Sequence, residues 1–167
     1  MRDEQEVNQA IDRYADMVRR ICLLHLKNEK DTEDIFQEVF LKYFLHTDPF
    51  ETPEHEKAWI IRVTVNACRD LLRNFFRRTW VSLEQLGETG ISAELGQSDL
   101  LEQVLSLPEK YKDPIYLHYY EGYTAAEIGA ILHKKENTVY SLLSRGRALL
   151  KQKLGGDGLE ESDPAGV

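Results

Sequence analysis

The sequence predicts an all-α protein of two small helical domains joined by an acidic linker, with a helix-turn-helix in the C-terminal domain. Apolar residues recur at spacings of three and four along most of the 167 residues, without strand-like alternation. Residues 82–97 interrupt this pattern with three glycines. Helical spacing resumes from about Asp99 to Leu154, where a short helix, a tight turn and a longer helix follow one another.

The interruption sets the expected domain boundaries. We expect a first domain over residues 1–80, a linker over 81–98, a second domain over 99–154 and a disordered tail over 155–167. Residues 81–109 contain six acidic side chains and no Lys or Arg, so the linker and the residues after it are strongly acidic. A single domain with a long internal loop is the alternative.

Three helices are predicted in the first domain. The first covers roughly residues 4–27, and the second runs from about Thr32 to Leu45. The segment that follows contains Pro49 and Pro53 and is predicted to be a loop. The third helix then runs from about Pro53 to Arg77.

The helix-turn-helix lies near the end of the second domain. Thr124 can cap a short helix, and Glu127 three residues later completes a capping box. A turn over residues 133–135 follows, and then a longer helix from Glu136 to about Leu154. Upstream, Pro114 lies inside a helical stretch and is expected to kink or split that helix, because proline lacks the backbone N–H.

The charge distribution indicates two confined contacts with polyanions. The formal net charge is -8, yet residues 57–78 and residues 133–153 each carry a local charge of +5. The remainder therefore carries -18. This balance argues against indiscriminate binding to nucleic acid and leaves a separate acidic surface.

Composition also narrows the location and the chemistry. No apolar run approaches the ~20 residues of a membrane span, and the N-terminus is charged where a signal peptide is apolar. We therefore expect a cytoplasmic protein without membrane insertion. Cys22 and Cys68 fall in apolar helical patterns, which favours buried free thiols. The five histidines are scattered and no Gly-rich phosphate loop follows a strand, so we predict no catalytic residue, metal site or cofactor.

The third predicted helix carries cations, an amide and an aromatic side chain in register. They lie one residue on from its apolar positions, about 100° around the helix. This basic row consists of Trp59, Arg62, Asn66, Arg69, Arg73 and Arg77. Such a row suits single-stranded nucleic acid, because the cations follow the phosphates while the other side chains stack on bases or hydrogen-bond to them. Alternatively, Trp59 belongs to the core and the arginines are solvated.

The second predicted helix presents carboxylates and an amide around an apolar residue. We call this set the acidic face, and its members are Asp34, Gln37, Glu38 and Leu41. The combination fits a protein partner with basic side chains better than it fits DNA. An ordinary solvated face is the alternative.

The last predicted helix has side chains suited to reading duplex DNA. In a helix-turn-helix the second helix enters the major groove, and its first residues reach base edges. Donors, acceptors and cations occupy the turn and one face of this helix. These recognition residues are Lys134, Lys135, Asn137, Thr138, Tyr140, Ser141, Arg145 and Arg147. A plain amphipathic hairpin with a solvated basic face is the alternative.

Three segments in this order resemble the sigma-70 family of bacterial RNA polymerase sigma factors, specifically the small extracytoplasmic-function (ECF) group. DTEDIFQEVFLKYF is similar to the family's core-polymerase-binding helix, and AWIIRVTVNACRDLLRN is similar to its −10 segment. LPEKYKDPIYLHYYEGYTAAEIGAILHKKENTVYSLLSRGRALL is similar to its C-terminal −35 domain. The resemblance spans roughly residues 10–153.

The resemblance implies a factor that binds core RNA polymerase, through its β′ clamp and β subunits, and directs promoter recognition, −10 melting and transcription initiation. The acidic face would dock on the β′ clamp helices, and the linker would thread toward the RNA channel. The basic row would hold the −10 element, and the loop from Phe50 to His55 would take a flipped-out base. The recognition residues would read the −35 duplex. The family also implies an anti-sigma factor as a partner.

The recognition helix departs from the family pattern at two places. Asn137 stands where members often carry Gly, and Tyr140-Ser141-Leu142 stands where they often carry Lys-Ser-Arg. Two expected cations are therefore missing, which predicts weaker −35 affinity or an altered sequence preference.

Two other binding classes stay open at this point. A stand-alone helix-turn-helix transcriptional regulator would bind palindromic DNA without polymerase, but it leaves the acidic face and the basic row unexplained. A degenerate sigma-like inhibitor would bind polymerase without starting transcription. An enzyme is disfavoured, because the histidines are scattered and neither a metal-ligand spacing nor a phosphate loop is present; the catalysis that a sigma factor supports belongs to polymerase.

Overall fold

The structure, a computed structural model, describes residues 1–78 and 99–153 of the chain. Helices and their connections make up this part, which contains no strand, so the all-α prediction is confirmed. The chain divides into two compact units, Met1–Leu95 and Gly96–Val167. The whole of the predicted linker, residues 81–98, and the whole tail lie outside the described residues. Within the described ranges, none of the helices combines the length and apolar content needed to cross a bilayer.

Three helices form the described part of the first unit: α1 (Glu4–Leu26), α2 (Glu29–Leu45) and α3 (Pro53–Arg78). Each of them packs against the other two. α2 begins earlier than predicted, because the Asn28 side chain accepts a hydrogen bond from the backbone N–H of Asp31 and so caps the helix. The predicted bounds of α1 and α3 agree with the structure to within one residue.

The core of the first unit lies where the three helices meet. Its fully buried side chains include Val18, Ile21, Leu24, Val39, Ile60, Ile61 and Val65. Cys22 and Cys68 are buried free thiols, as predicted. Thr64 is buried as well, and its hydroxyl donates to the Ile60 carbonyl at 2.7 Å, so the core holds this polar group without an unsatisfied donor.

A carboxylate near the start of α3 connects all three helices. Glu56 accepts hydrogen bonds from Arg13 Nη1 at 3.0 Å and Tyr14 Oη at 2.9 Å, both on α1, and from Tyr43 Oη on α2 at 2.9 Å. Burial, reinforced by the hydrogen bond to Glu56, raises the pKa of Tyr43 to about 12. Burial also raises the pKa of Tyr14. The network fixes where α3 begins relative to α1 and α2.

Four helices form the described part of the second unit: α4 (Asp99–Leu105), α5 (Glu109–Tyr119), α6 (Ala125–Leu132) and α7 (Glu136–Lys153). α5 packs against α7, and α6 packs against both. At the crossing of α5 and α7, a Cβ on Gly146 would lie 2.8 Å from Ile115 Cγ1. The two helices therefore approach too closely here for any side chain larger than hydrogen.

Pro114 does not split its helix, so of the two expected effects, a kink or a break, the break does not occur. α5 runs without interruption through Pro114, and every residue from 111 to 118 is buried. The missing N–H removes the hydrogen bond to the Lys110 carbonyl, which belongs to an exposed residue and can be solvated instead. Burial of the second half of α5 in the core outweighs the loss of this single bond.

Candidate protein and nucleic-acid interfaces

The acidic face lies on the solvent-exposed side of α2. Asp34, Gln37, Glu38 and Leu41 are all exposed, and their spacing of three and four residues brings them onto one side of the helix. Leu41 is 56% exposed. Glu38 pairs with Lys42 at 3.2 Å, but both side chains are exposed, so the pair contributes only ~0–1 kcal/mol. A basic partner can displace it at little cost.

Leu45 extends the apolar part of this face, and the sequence analysis missed it. It lies four residues after Leu41, one helical turn away on the same side, and is 52% exposed. Two large aliphatic side chains left in water side by side are typical of a surface that a partner covers. The i, i+4 spacing was available as a signal, but Leu45 is also the last residue of the helix, where exposure is common.

Short local bonds shape the connection from α2 to α3. Thr52 Oγ1 accepts from the backbone N–H of His55 at 3.0 Å, and the His55 Nδ1 accepts from the backbone N–H of Glu51 at 3.3 Å. Pro53 takes the first position of α3, where its missing N–H would be unpaired anyway. The loop therefore has a defined end rather than a gradual passage into the helix.

Aromatic side chains gather around this loop. The Phe50 ring centroid lies 5.1 Å from that of His46, 5.3 Å from that of His55 and 5.5 Å from that of Trp59. Tyr43 completes this aromatic cluster, stacked at 6.2 Å from Phe50. Trp59 is half-buried within it. Trp59, the first member of the basic row, therefore lies beside the loop and contacts Phe50.

The rest of the basic row follows one side of α3. Its described members after Trp59 are Arg62, Asn66, Arg69 and Arg73. Asn66 and Arg73 are exposed, whereas Arg62 and Arg69 are half-buried. Arg73 lies 3.6 Å from Asp70, and both side chains are more than half exposed, so this pair is weak. The side chain of Arg77 lies outside the part that the structure describes. The basic row can therefore offer cations and an amide to a nucleic-acid strand that runs along α3.

α6, α7 and the turn between them form the predicted helix-turn-helix. Thr124 Oγ1 accepts from the backbone N–H of Glu127 at 3.1 Å, and Glu127 Oε1 accepts from the backbone N–H of Thr124 at 2.9 Å, which is the predicted capping box. His133 ends α6 in the left-handed region, with φ at 57°. A Cβ on Gly129 would lie 2.7 Å from the Lys134 carbonyl oxygen, so the turn requires glycine there.

The recognition residues occupy the turn and the outer side of α7. The exposed members are Lys135, Asn137, Thr138, Ser141 and Arg145, and the half-buried members are Lys134, Tyr140 and Arg147. Val139, Leu143 and Leu150 face the core on the other side of the helix. Tyr140 Oη donates to Glu136 Oε1 at 3.3 Å, which holds the phenol along the first turn of α7. The polar side of α7 is therefore exposed and can enter the major groove of duplex DNA.

Two protein-family matches fall one in each compact unit of the chain. Residues 10–79 match the family described as Sigma-70 region 2, and residues 97–150 match the family described as Sigma-70, region 4. Together they cover well over half of the chain. The first match contains the acidic face and the basic row, and the second contains the helix-turn-helix.

Curated relatives carry names from the same family. The ECF RNA polymerase sigma factor SigW of Bacillus subtilis (strain 168) is 27% identical over 170 residues, which cover 91% of this chain and 90% of SigW. The ECF RNA polymerase sigma factor SigE of Mycolicibacterium smegmatis is 31% identical over 161 residues, which cover 88% of this chain and 61% of SigE.

Two solved structures share the fold. The sigma factor RpoE, in complex with the anti-sigma factor NepR from Bartonella quintana, matches with a TM-score of 0.72 at 18% identity, covering 92% of this chain and 99% of that chain. CnrH, in complex with the cytosolic domain of CnrY, matches with a TM-score of 0.64 at 21% identity, covering 93% of this chain and 92% of that chain.

Proposed function

Because the chain belongs to the sigma-70 family of RNA polymerase sigma factors, in its ECF group, we propose that it binds core RNA polymerase and directs promoter recognition, −10 melting and transcription initiation. The observation that carries this proposal is that one chain holds both matched regions, each in its own compact unit. A stand-alone helix-turn-helix regulator gives no role to the first unit's two surfaces. Sigma factors are initiation factors, and the chemistry of RNA synthesis belongs to polymerase.

The acidic face is the proposed contact with the β′ clamp helices. Asp34 and Glu38 offer negative charge next to Leu41, on the N-terminal side of it along α2, and the exposed Leu41 side chain can enter an apolar site on the partner. Leu45 adds to the same apolar contact. Apolar anchors surrounded by charged side chains are typical of protein interfaces, where the anchor supplies affinity and the charges supply orientation.

The basic row and the adjoining loop are the proposed site for the −10 element. Arg62, Arg69 and Arg73 would follow the phosphates of one strand, while Asn66 has donors and acceptors for an exposed base edge. The loop from Phe50 to His55 would receive a base flipped out of the duplex. Flipping costs a few kcal/mol, which stacking and hydrogen bonds in the receiving pocket must offset.

The recognition residues are the proposed readers of the −35 duplex. Asn137 and Thr138, at the start of α7, are exposed where a recognition helix meets base edges, and the cations of the turn and of α7 can bind phosphates. Asn137 and Tyr140 replace the Gly and Lys common in the family, so we expect a weaker or altered −35 preference.

The remaining segments and partners follow from the same proposal. Residues 1–80 would bind core polymerase and the −10 element, and residues 99–154 would bind the −35 element. The acidic linker, 81–98, would pass through the basic RNA channel of polymerase. Of the two structural relatives, RpoE is bound to the anti-sigma factor NepR and CnrH is bound to the cytosolic domain of CnrY. We propose that an anti-sigma factor also holds this chain, and that the chain acts in the cytoplasm.

Run-off transcription tests the proposal directly. Purified bacterial core polymerase is incubated with a randomised promoter library, with and without this protein, and the transcripts are sequenced. Transcripts that appear only with the protein support the proposal, and their upstream sequences give both promoter elements. Co-elution with core without new transcripts would favour an inhibitor of polymerase. Neither co-elution nor transcripts would overturn the proposal and favour a stand-alone regulator.

A double substitution tests the role of the basic row separately. Arg69→Ala with Arg73→Ala should impair open-complex formation and leave core binding nearly unchanged, because the acidic face lies on another helix. Lys30→Ala removes an exposed cation from the same unit and serves as the control for charge alone. Equal loss of core binding and open complexes in the double variant would contradict a DNA role for the row.

A further inference from the structure

Arg2, which precedes the N-cap of α1, is bound to the end of α2 and the loop after it. Its backbone N–H donates to the Phe44 carbonyl at 2.9 Å, and its Nη2 donates to the Asp48 carbonyl at 2.9 Å. The guanidinium lies over two rings of the aromatic cluster, with Cζ 4.7 Å from the centroid of Tyr43 and 4.8 Å from that of Phe50. These contacts join positions far apart in sequence.

The contacts serve the loop rather than the start of α1. Asp3 and Glu6 cap α1 through their own reciprocal hydrogen bonds, so the helix begins without help from Arg2. Arg2 Nη1 lies 3.9 Å from Glu6 Oε1, beyond hydrogen-bond distance. Its Nε is buried without a hydrogen-bond partner among the described residues. The hydrogen bond from Nη2 to the Asp48 carbonyl and the stacking on the Tyr43 and Phe50 rings therefore hold the guanidinium.

The chemistry of this contact is specific to arginine. A planar guanidinium can stack on aromatic faces and donate sideways to a carbonyl at the same time, whereas the compact ammonium of lysine cannot do both in the same geometry. The Arg2 side chain is only 12% exposed, so little of it is open to a partner. Arg2 can therefore influence a ligand of the loop only through the residues that it holds.

We propose that Arg2 is a positioning residue for the capture of the flipped −10 base, and that it acts by fixing Phe50 and the loop that follows. The inference rests on the proposed function, in which the loop from Phe50 to His55 receives that base. A receiving pocket offsets the cost of flipping best when its walls are already in place. Phe50 contacts most of the aromatic cluster and Arg2 at once, so its position decides the shape of that wall.

The test compares Arg2→Ala and Arg2→Lys with the wild-type protein and with Lys30→Ala as a control. Open-complex formation is measured on a promoter obtained in the run-off experiment, on versions with each other base at the captured position, and on a version with an abasic site there. The ratio of rates between the preferred base and the others reports base discrimination. Core affinity and helical circular dichroism are measured in parallel.

We expect Arg2→Ala to lower base discrimination about tenfold, the effect of losing a desolvated cation–π contact. Arg2→Lys should recover only part of it, while core affinity stays unchanged. On the abasic promoter, wild type and both variants should open at the same rate, because no base is left to position. If Arg2→Ala loses its helical signal, Arg2→Lys carries the same comparison.

Two results would overturn the inference while the proposed function stands. One is unchanged discrimination in both variants. The other is an equal slowing on every promoter, the abasic one included, which would make Arg2 a structural residue only. If the wild-type protein itself starts no transcription with core polymerase, the proposed function fails, and this inference fails with it.

Discussion

Replacing Glu56 with alanine should destabilise the first unit by about 4 kcal/mol, a large part of the ~5–15 kcal/mol typical of a whole domain. The Glu56 carboxylate receives hydrogen bonds from Arg13, Tyr14 and Tyr43 and so connects α1, α2 and α3. Alanine leaves all three donors without this acceptor. The three hydrogen bonds are lost even if the rest of the core keeps its structure.

The expected magnitude comes from the burial of each donor. Tyr14 and Tyr43 are 5% and 3% exposed, and a buried hydroxyl left without its partner costs about 1–3 kcal/mol. The Arg13 side chain is 54% exposed, so its ion pair adds only ~0–1 kcal/mol. Glu56→Gln keeps one acceptor oxygen and should cost about half as much as Glu56→Ala.

Urea unfolding followed by tryptophan fluorescence measures this effect. The chain contains two tryptophans, so a Trp80→Phe background leaves Trp59, in the aromatic cluster of the first unit, as the reporter. Glu54→Ala is the matched control, because Glu54 is an exposed acid in the same first turn of α3. It should shift the free energy of unfolding by no more than ~0.5 kcal/mol. Equal shifts for the two alanine variants would refute the reasoning.

Three further predictions follow from single groups. Burial and the hydrogen bond to Glu56 raise the pKa of Tyr43 to about 12. The neutral Tyr43 phenol therefore contributes its full stabilisation below about pH 10, and this contribution is lost as the pH rises through 12. Midpoints of urea unfolding measured across that pH range test this expectation. Gly146→Ala should destabilise the second unit by ~1–3 kcal/mol in thermal unfolding, since its Cβ would overlap Ile115, and adding Ile115→Val should restore part of the loss. Leu41→Ala should weaken core-polymerase binding about tenfold in a fluorescence anisotropy titration, and adding Leu45→Ala should weaken it further.

Each of these predictions has a control in the chain. In Tyr43→Phe the loss of stability between about pH 10 and pH 12 should shrink; an unchanged loss would assign it to other groups. Ser144→Ala, on the exposed side of α7, should leave the melting temperature unaltered, and a drop like that of Gly146→Ala would argue against steric overlap. Gln9→Ala, which truncates an exposed side chain of α1, should bind core polymerase like wild type. If Leu41→Ala does so too, the acidic face is not the docking site.

The helices and the helix-turn-helix were predictable because their signals are local. The capping box of Thr124 and Glu127 lies within four consecutive residues, and the structure forms it as predicted. Apolar spacing likewise set the bounds of α1 and α3 to within one residue. The expected break at Pro114 does not occur, for the opposite reason: the local cost of proline is real, but burial of α5 against the rest of the second unit outweighs it.

The candidate surfaces were predictable only as sets of residues on one helix. The exposed side of α2 agrees with the predicted acidic face, since the apolar residues between its members had to turn inward. Trp59 shows the limit of such reasoning. Its register placed it on the basic row, but the loop before α3 folds back and packs Phe50 against it.

Periodicity and caps were enough to predict the fold class and the exposed sides of α2 and α7, because they act over a few residues, and the three motifs were enough to predict the family. The contacts of Glu56 with α1 and α2, and of Arg2 with the loop at Asp48, followed only from the packing of the helices. Tyr14 and Glu56 are 42 residues apart, and Arg2 and Asp48 are 46 apart. No short-range pattern selects one partner among many acceptors at that separation. The choice is made only when the packed core brings the side chains within hydrogen-bond distance.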